Sequence, residues 1–462
     1  MVRALSTMLV LASISASLAQ ASATLLLEEP YGKLGFFTAT GHAAVYLSGV
    51  CAETPLVLRP CAPGETGIVL SRYDGVGGYD WVAIPLIPYL YAVERPEDIP
   101  LFSDGKMTAF LRDQYRRRYL EAIAPDSRDG GAPGGNWYEL VGSAYDRTVY
   151  GFEIETSAER DMALIRHFNA TPNVSHFHLV SRNCADFAKD VMNFYYPKAL
   201  HRSLVADLGM TTPKQMAKML IKFSGRHGDL EFSRFVIPQV PGSAARSTAV
   251  HGVVESFFKA KKYYVPSLVV SPIFAGCVAA VYVGSGAGRF NPAQHALVFN
   301  AERGLEAPLA AEDRRSYESD LKRLQAETPS TGKSGRGDKA WGHVLGKAVP
   351  ELDAEGRPQF QIQTGEQLVS VGVAADNVLT DEASSLPAQR MQLTQELLQA
   401  RLREELRRGA PPKASVSDVQ RDWSLLQQAM KNGRESVVAE NSSQTVERSA
   451  SMRPGFSGGD LP

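Results

Sequence analysis

The stretch HFHLVSRNCADFAKDVMNFYYP, residues 176–197, decides how this chain is read. Residues 176–181 alternate like a short strand that runs into a turn, and residues 184–196 have the apolar spacing of an amphipathic helix. Cys184 falls where the one stops and the other begins. A thiolate is favoured at a helix N-terminus, where unpaired N–H groups and the helix dipole stabilise negative charge. Asn183 is placed to cap that helix, and Asp186 lies in its first turn. The pattern nominates Cys184 as a nucleophile, against the plainer alternative of a buried structural thiol.

A nucleophilic cysteine needs a base within hydrogen-bond reach, usually a histidine. The chain has nine histidines. His42, in ATGHAAVYL (residues 39–47), stands at the mouth of an apolar strand directly after a glycine. A base held on a rigid sheet is well positioned for proton transfer, whereas a surface histidine that merely ends a strand would do nothing. His176 and His178 fall on one face of the short strand before Cys184, since strand side chains alternate. The remaining histidines have no spacing argument.

Elsewhere the pattern is that of an ordinary globular protein. The chain has 462 residues, 44% hydrophobic and 21% charged, with a formal net charge of −1, so no global field favours nucleic acid. Strands are predicted over 42–50, 66–72, 80–87 and 148–156. Helices are predicted over 106–123, from a Ser157 cap through residue 170, and over 212–224. Residues 230–264 read as a linker, residues 284–432 as a polar, partly helical extension with helices at 312–327 and 387–408 and a hairpin at 359–373, and residues 433–462 as a disordered tail. The basic segment QYRRRYLE (114–121) reads as a solvated helix face. The glycines of VGSGAGRF (283–290) lack dinucleotide-binding spacing.

Two segments bear on location. Residues 1–23 carry an early Arg3, an apolar run from Ala4 to Leu18 and small residues at Ala21 and Ala23, the form of a secretory signal cleaved after Ala23. The alternatives are an uncleaved anchor helix and a cytoplasmic chain. From Val265 to Val283 there is no charged residue. At about 1.5 Å per residue that length just crosses about 30 Å of hydrocarbon, so 265–283 is a candidate transmembrane or membrane-proximal helix, with a buried or interfacial hairpin as the alternative. Of the four cysteines, Cys51 and Cys61 flank a short loop that a disulfide could close in an oxidising compartment. Without a CxxC pair, no metal site is expected.

The order His-strand then Cys-helix resembles the circularly permuted papain-like superfamily, related to NlpC-type peptidases. That set includes lecithin–retinol acyltransferase and a bacterial envelope domain resembling lipoprotein N-acyltransferases. The resemblance rests on Gly41-His42-Ala43-Ala44-Val45-Tyr46 and Asn183-Cys184-Ala185-Asp186-Phe187 and covers residues 25–225. It implies an α+β domain over 24–229, with an antiparallel sheet packed on the Cys-bearing helix. It also implies Cys184 as nucleophile, His42 as base and no cofactor, with Asn183 supporting the cysteine turn. A third polar residue would orient the histidine; Glu65, Ser71 and Asp74 are the candidates, Glu65 first. The expected activity is thiol-dependent acyl transfer or hydrolysis at an ester or amide in the cell envelope, on the periplasmic or extracellular face. Its expected substrate is a lipid, a lipoprotein or a cell-wall peptide, at or near a membrane. The alternative is a catalytically inactive, envelope-anchored binding module of the same fold.

Overall fold

The structure is a computed structural model that describes residues 21–31, 40–174, 177–242, 246–327, 346–364, 367–372, 395–399, 401–403, 406, 420–428 and 431. Its frame is an eight-stranded sheet in the order β10-β9-β8-β7-β1-β2-β5-β6. The strands are β1 (Ser22–Glu28), β2 (His42–Leu47), β5 (Ile68–Ser71), β6 (Val82–Pro85), β7 (Val149–Glu155), β8 (Phe232–Ile237), β9 (Leu297–Asn300) and β10 (Gly304–Glu306). Every pair is antiparallel except β8–β9, which is parallel. Between β2 and β5, β3 (Val50–Thr54) and β4 (Val57–Pro60) form a separate hairpin closed by a Cys51–Cys61 disulfide.

β1 is the middle of this sheet because its sequence, SATLLLE, is buried on both faces. Leu25 and Leu27 point to one core with Ala43 and Val45 of β2. That core is covered by α4 (Ala158–Ala170), α5 (Cys184–Tyr195) and α6 (Pro213–Ser224), through residues such as Leu164, Phe187, Val191 and Leu220. Leu26 and Ala44 point to the other core, which is covered by α1 (Leu86–Tyr91), α2 (Gly105–Tyr119) and α3 (Ser143–Asp146). A one-residue slip of β1 would exchange the two sets, so burial on both sides pins the register. Burial of each such leucine contributes about 1.5–3 kcal/mol. The architecture is thus α+β, with helices on both faces of a mixed sheet.

The helix starts predicted at Ser157 and Thr212 are present: each side chain accepts a hydrogen bond from the third residue of its helix. Several expectations need correction. Residues 177–182 form a turn, with one isolated His178–Arg182 bridge, in place of a strand; His176 lies outside the described residues. The expected linker contains β8, paired along β7, and the polar extension supplies β9 and β10, so the sheet runs past residue 229. Signal cleavage after Ala23 would cut into β1, where Ala23 is fully buried opposite Leu47 and Ile154. Arg116, in the segment read as a solvated face, is fully buried and paired with Asp113 and Asp126.

The largest correction concerns 265–283. Among the described residues, no helix is long and apolar enough to cross a membrane, so the expected transmembrane segment is not supported. Following α7 (Val253–Lys259), the stretch divides into α8 (Lys261–Val270) and α9 (Pro272–Gly284). Pro272 explains the break: it cannot donate a hydrogen bond, and it drives the preceding Ser271 to an extended φ of −149°. α9 then runs back along its predecessors. Tyr264 O–H donates to the Ala275 carbonyl at 3.2 Å, and the rings of Phe258 and Tyr282 stack at 4.4 Å.

Farther along the chain lie α10 (Ala311–Glu327) and a three-stranded sheet of β11 (Val349–Leu352), β12 (Pro358–Thr364) and β13 (Gln367–Gly372). The predicted hairpin at 359–373 is β12–β13, and its Phe360 and Val371 join the core beneath α2. The helix expected over 387–408 is described only in part, and the tail 433–462 lies outside the described residues.

The Cys51–Cys61 bridge closes a separation of ten residues. Restricting the unfolded chain over a loop of that size stabilises the native state by about 2–3 kcal/mol. Reduction, or a Cys51→Ala/Cys61→Ala pair, is expected to lower the urea midpoint accordingly. An unchanged midpoint would show that the bridge does not constrain the unfolded state.

Candidate functional site

Cys184 opens α5, and a closed polar network fixes its turn. Asn183 caps the helix by accepting from the Asp186 N–H at 3.0 Å, while Asp186 accepts from the Asn183 N–H at 3.3 Å. The Asn183 side-chain amide donates to the carbonyls of Leu179 and Thr211 at 2.9 and 3.1 Å. Asp186 is 2% exposed and also accepts from Thr211 Oγ1 at 2.6 Å, Arg202 at 2.8 Å and Lys189 at 3.3 Å. Asn183, nominated as a support of the cysteine turn, is therefore built into it.

The backbone N–H groups of Ala43 and Ala185 face the Cys184 sulfur and favour its thiolate. The first belongs to the peptide bond that joins His42 to Ala43, so the sulfur abuts the backbone of the nominated base. β5 pairs with β2 only over Val45–Leu47. The β2 edge at His42–Ala43 is left clear of β5, and the sulfur sits there.

His42 begins β2 after Gly41, whose φ is +70°. A Cβ at Gly41 would lie 2.1 Å from the Glu28 carbonyl oxygen, so close approach to β1 and a left-handed backbone both require glycine there. The imidazole is 7% exposed and stacks on Tyr73, with centroids 4.3 Å apart and planes 10° off parallel. Its Nε2 is buried and has no hydrogen-bond partner. Alternation along β2 groups His42 with Ala44, on the face opposite the one that α5 covers. The helix and the imidazole thus approach β2 from different sides, and the sulfur reaches the strand at its edge.

A buried polar cluster lies beside the imidazole. Glu28 is the direct cross-strand neighbour of His42 and is fully buried. It accepts from the Tyr89 hydroxyl, and its other oxygen lies 3.2 Å from Arg147. Tyr89 in turn meets the Tyr73 hydroxyl at 3.4 Å, and Arg147 reaches Glu139 at 3.1 Å. The loop carrying Tyr73 is tied to the cysteine side by Arg72, whose guanidinium lies 4.8 Å over the Phe187 ring, and by Asp80, 3.4 Å from Arg182. Neither Glu28 nor Tyr73 was nominated from sequence. The one local sign for Glu28 is a carboxylate at the end of the apolar run TLLLEE.

Burial dominates the protonation of the site. It pushes the Cys184 thiol up to about 11, although the Ala43 and Ala185 N–H groups pull the other way. Burial, then the Arg147 charge, hold His42 well below its usual value. Burial also raises the Glu28 carboxyl, against Arg147 and the Tyr89 hydrogen bond. The expectation of a thiol acidified by its helix is therefore overturned: dehydration outweighs the two amides, and at neutral pH thiol and imidazole are both uncharged.

The structure does not bring Glu65 to this site. Its carboxylate is held by Arg59 at 2.6 and 2.7 Å and by the Ala62 N–H at 2.5 Å, on the exposed side of the disulfide hairpin. The Arg59 hydrogen bond, then the Ala62 amide, lower its pKa to about 2. Cys51, Cys61 and Glu65 place their ligand atoms within 4.8 Å of one another, but the disulfide occupies both sulfurs. Ser71 ends β5 fully buried with its Oγ unpartnered, and Asp74 is exposed in the loop beyond Tyr73. His178 is on the surface, its Nδ1 2.8 Å from Ser181 Oγ.

No protein-family model, no curated protein and no solved structure matches the chain.

Gly41→Ala is expected to destabilise the fold by about 1–3 kcal/mol, through strain at a positive φ and the clash with β1; a neutral result in chemical denaturation would contradict the close approach. The buried imidazole and the half-buried thiol also set a pH window. The lowered His42 contributes stability that is present above its unfolded value near 6.5 and is lost as pH falls below it. The raised Cys184 contributes stability that is present below about 9 and is lost as pH rises toward about 11. Cys184 keeps some exposure, so solvent screening limits its share to on the order of 1–2 kcal/mol. Cys184→Ala should flatten the alkaline limb of the stability curve, and an unchanged limb would refute the raised thiol.

Proposed function

We propose that this chain is a thiol-dependent acyl-transfer enzyme of the cell envelope, with Cys184 as nucleophile and His42 as base. The observation that carries this is the sulfur at the first turn of α5, faced by the amide of the His42–Ala43 peptide bond. In the resting site both groups are neutral. Substrate binding would bring a carbonyl carbon to the sulfur; the imidazole, which in the resting structure lies on the other side of β2 from α5, would have to turn past the strand edge to take the thiol proton as the C–S bond forms. The two amides that already face the sulfur stabilise the thiolate as it develops, and the Cys184 N–H is the available oxyanion donor. Collapse of the tetrahedral species expels the alcohol or amine, which leaves with the proton from His42, and a thioester remains on Cys184. Water would complete hydrolysis; an amine or alcohol would complete transfer.

The resemblance to permuted papain-like proteins supports this assignment through the order, placement and capping of the His and Cys motifs. Export is supported by the signal-like sequence of residues 1–23, although a cut after Ala23 would fall inside β1, and by the Cys51–Cys61 bridge, a type of bond that persists in oxidising compartments. Lipid esters, lipoproteins and cell-wall peptides all carry the required carbonyl.

A second reading is favoured by one observation. His42 Nε2 makes no hydrogen bond, and burial keeps both groups neutral, as expected of a binding module that retains the fold without the chemistry. Slow alkylation of the resting thiol is expected under either reading, so an acylating probe must decide. A lipid-ester probe and a stem-peptide probe are expected to leave a thioester adduct on Cys184 that Cys184→Ala abolishes and His42→Ala slows by about 10²-fold or more. Absence of any Cys184 adduct with both probes would favour the binding module.

A further inference from the structure

We propose that the α8–α9 hairpin docks this protein on the surface of an anionic lipid bilayer, inserting its tip without spanning. This goes beyond the thiol chemistry and stands without it. The tip is apolar and open to solvent: Val269, Val270 and Ile273 are 85%, 84% and 83% exposed, and Leu268 and Phe274 about half exposed at 46% and 51%. Val269, Val270 and Ile273 stand clear of the fold, while Phe274 anchors the tip edge-on against the Phe257 ring at 5.6 Å. An exposed contiguous apolar surface on a protruding element marks an interaction site.

What lies behind the tip identifies the partner. Behind it lie Tyr263 and Tyr264, about two turns back along α8, and Tyr282, nearly three turns along α9, with Tyr263 42% exposed and Lys262 packed 4.7 Å over its ring. At the open end stand Lys261, Lys262 and Arg289, all exposed. From Lys261 to Arg289 the sequence contains no Asp or Glu. Apolar tip, tyrosine band and basic base, in that order, are the layers of a bilayer interface: acyl chains, the headgroup boundary, and anionic phosphates. An apolar protein partner would not call for the basic layer. Because α8 is only ten residues long, the tip reaches about 5–10 Å into the headgroup and acyl boundary.

A second apolar element hangs from the same root. Leu204, Val205 and Leu208 are 79%, 65% and 68% exposed, and Leu208 holds a φ of +52°. Their loop is bonded to the start of α7, where the Val253 N–H donates to Asp207 at 2.9 Å and the Val254 N–H donates to the Ala206 carbonyl at 3.4 Å. The same segment continues to Thr211, which bonds both Asn183 and Asp186 at the cysteine turn. Lipid engagement at the hairpin would therefore place the Cys184 end of the molecule close to the bilayer.

The test is flotation of the purified full-length protein with phosphatidylcholine vesicles and with vesicles containing phosphatidylglycerol. The wild type is expected to float with the anionic vesicles, less with the neutral ones, and less at high salt. A Val269→Asp/Val270→Asp variant should bind at least tenfold more weakly with an unchanged melting temperature, since both side chains are solvent-exposed. Lys261→Glu/Lys262→Glu should abolish the preference for anionic lipid. Cys184→Ala should float as the wild type does, which separates docking from catalysis. Wild type that floats with neither vesicle, or a tip variant that floats as the wild type does, would overturn the proposal. So would self-association that the tip variant abolishes in the absence of lipid binding, which would assign the face to a second copy.

Discussion

The sulfur of Cys184 lies between two backbone N–H donors, one from its own helix and one from the first peptide of β2, and the rest of the site is arranged around that bridge. The helix donor exists because Asn183 and Asp186 cap each other and leave the first turn open. The sheet donor exists because β5 leaves β2 after the Val45–Leu70 pair and exposes the Ala43 amide. Gly41 lets the chain turn into β2 against the Glu28 carbonyl, and β1 holds that carbonyl in place by burial on both faces. Helix start, strand edge and central strand are thus coupled at one atom.

The electrostatics follow from a competition. Two amide donors favour the thiolate, while removal of the sulfur from water favours the thiol, and the second effect wins. The same holds for His42, which is stacked on Tyr73 and faces Arg147 without a hydrogen bond at Nε2. A resting pair of neutral partners is protected from adventitious alkylation and oxidation, because the thiolate is the reactive form. Activation then depends on what substrate binding does to the surrounding water and to the imidazole. The Glu28–Arg147–Glu139 cluster supplies fixed charge beside the ring, and its buried members hold the end of β1 to the start of β7.

Features carried by neighbouring residues were legible in the sequence. The α5 cap, the Ser157 and Thr212 caps and the β12–β13 hairpin all follow from spacings of a few residues. Features set by distant partners were not. Burial of the thiol depends on sheet and helices that converge from far along the chain, so a local argument from the helix dipole gave the wrong sign for its acidity. Glu28 and Tyr73 meet His42 only through strand pairing and a loop. β8 was hidden in an apparent linker because Pro238 and Pro241 follow it closely. The apolar run at 265–283 has the composition of a span, but Pro272 divides it and its aromatic rings close onto α7.

The most direct measurement of this balance is the rate of Cys184 alkylation as a function of pH, read on the Cys184 peptide by mass spectrometry. The account predicts a rate that keeps rising up to about pH 11. A plateau at or below about pH 8.5, the value of an ordinary thiol, would show that the two amides outweigh burial and would contradict the neutral resting pair.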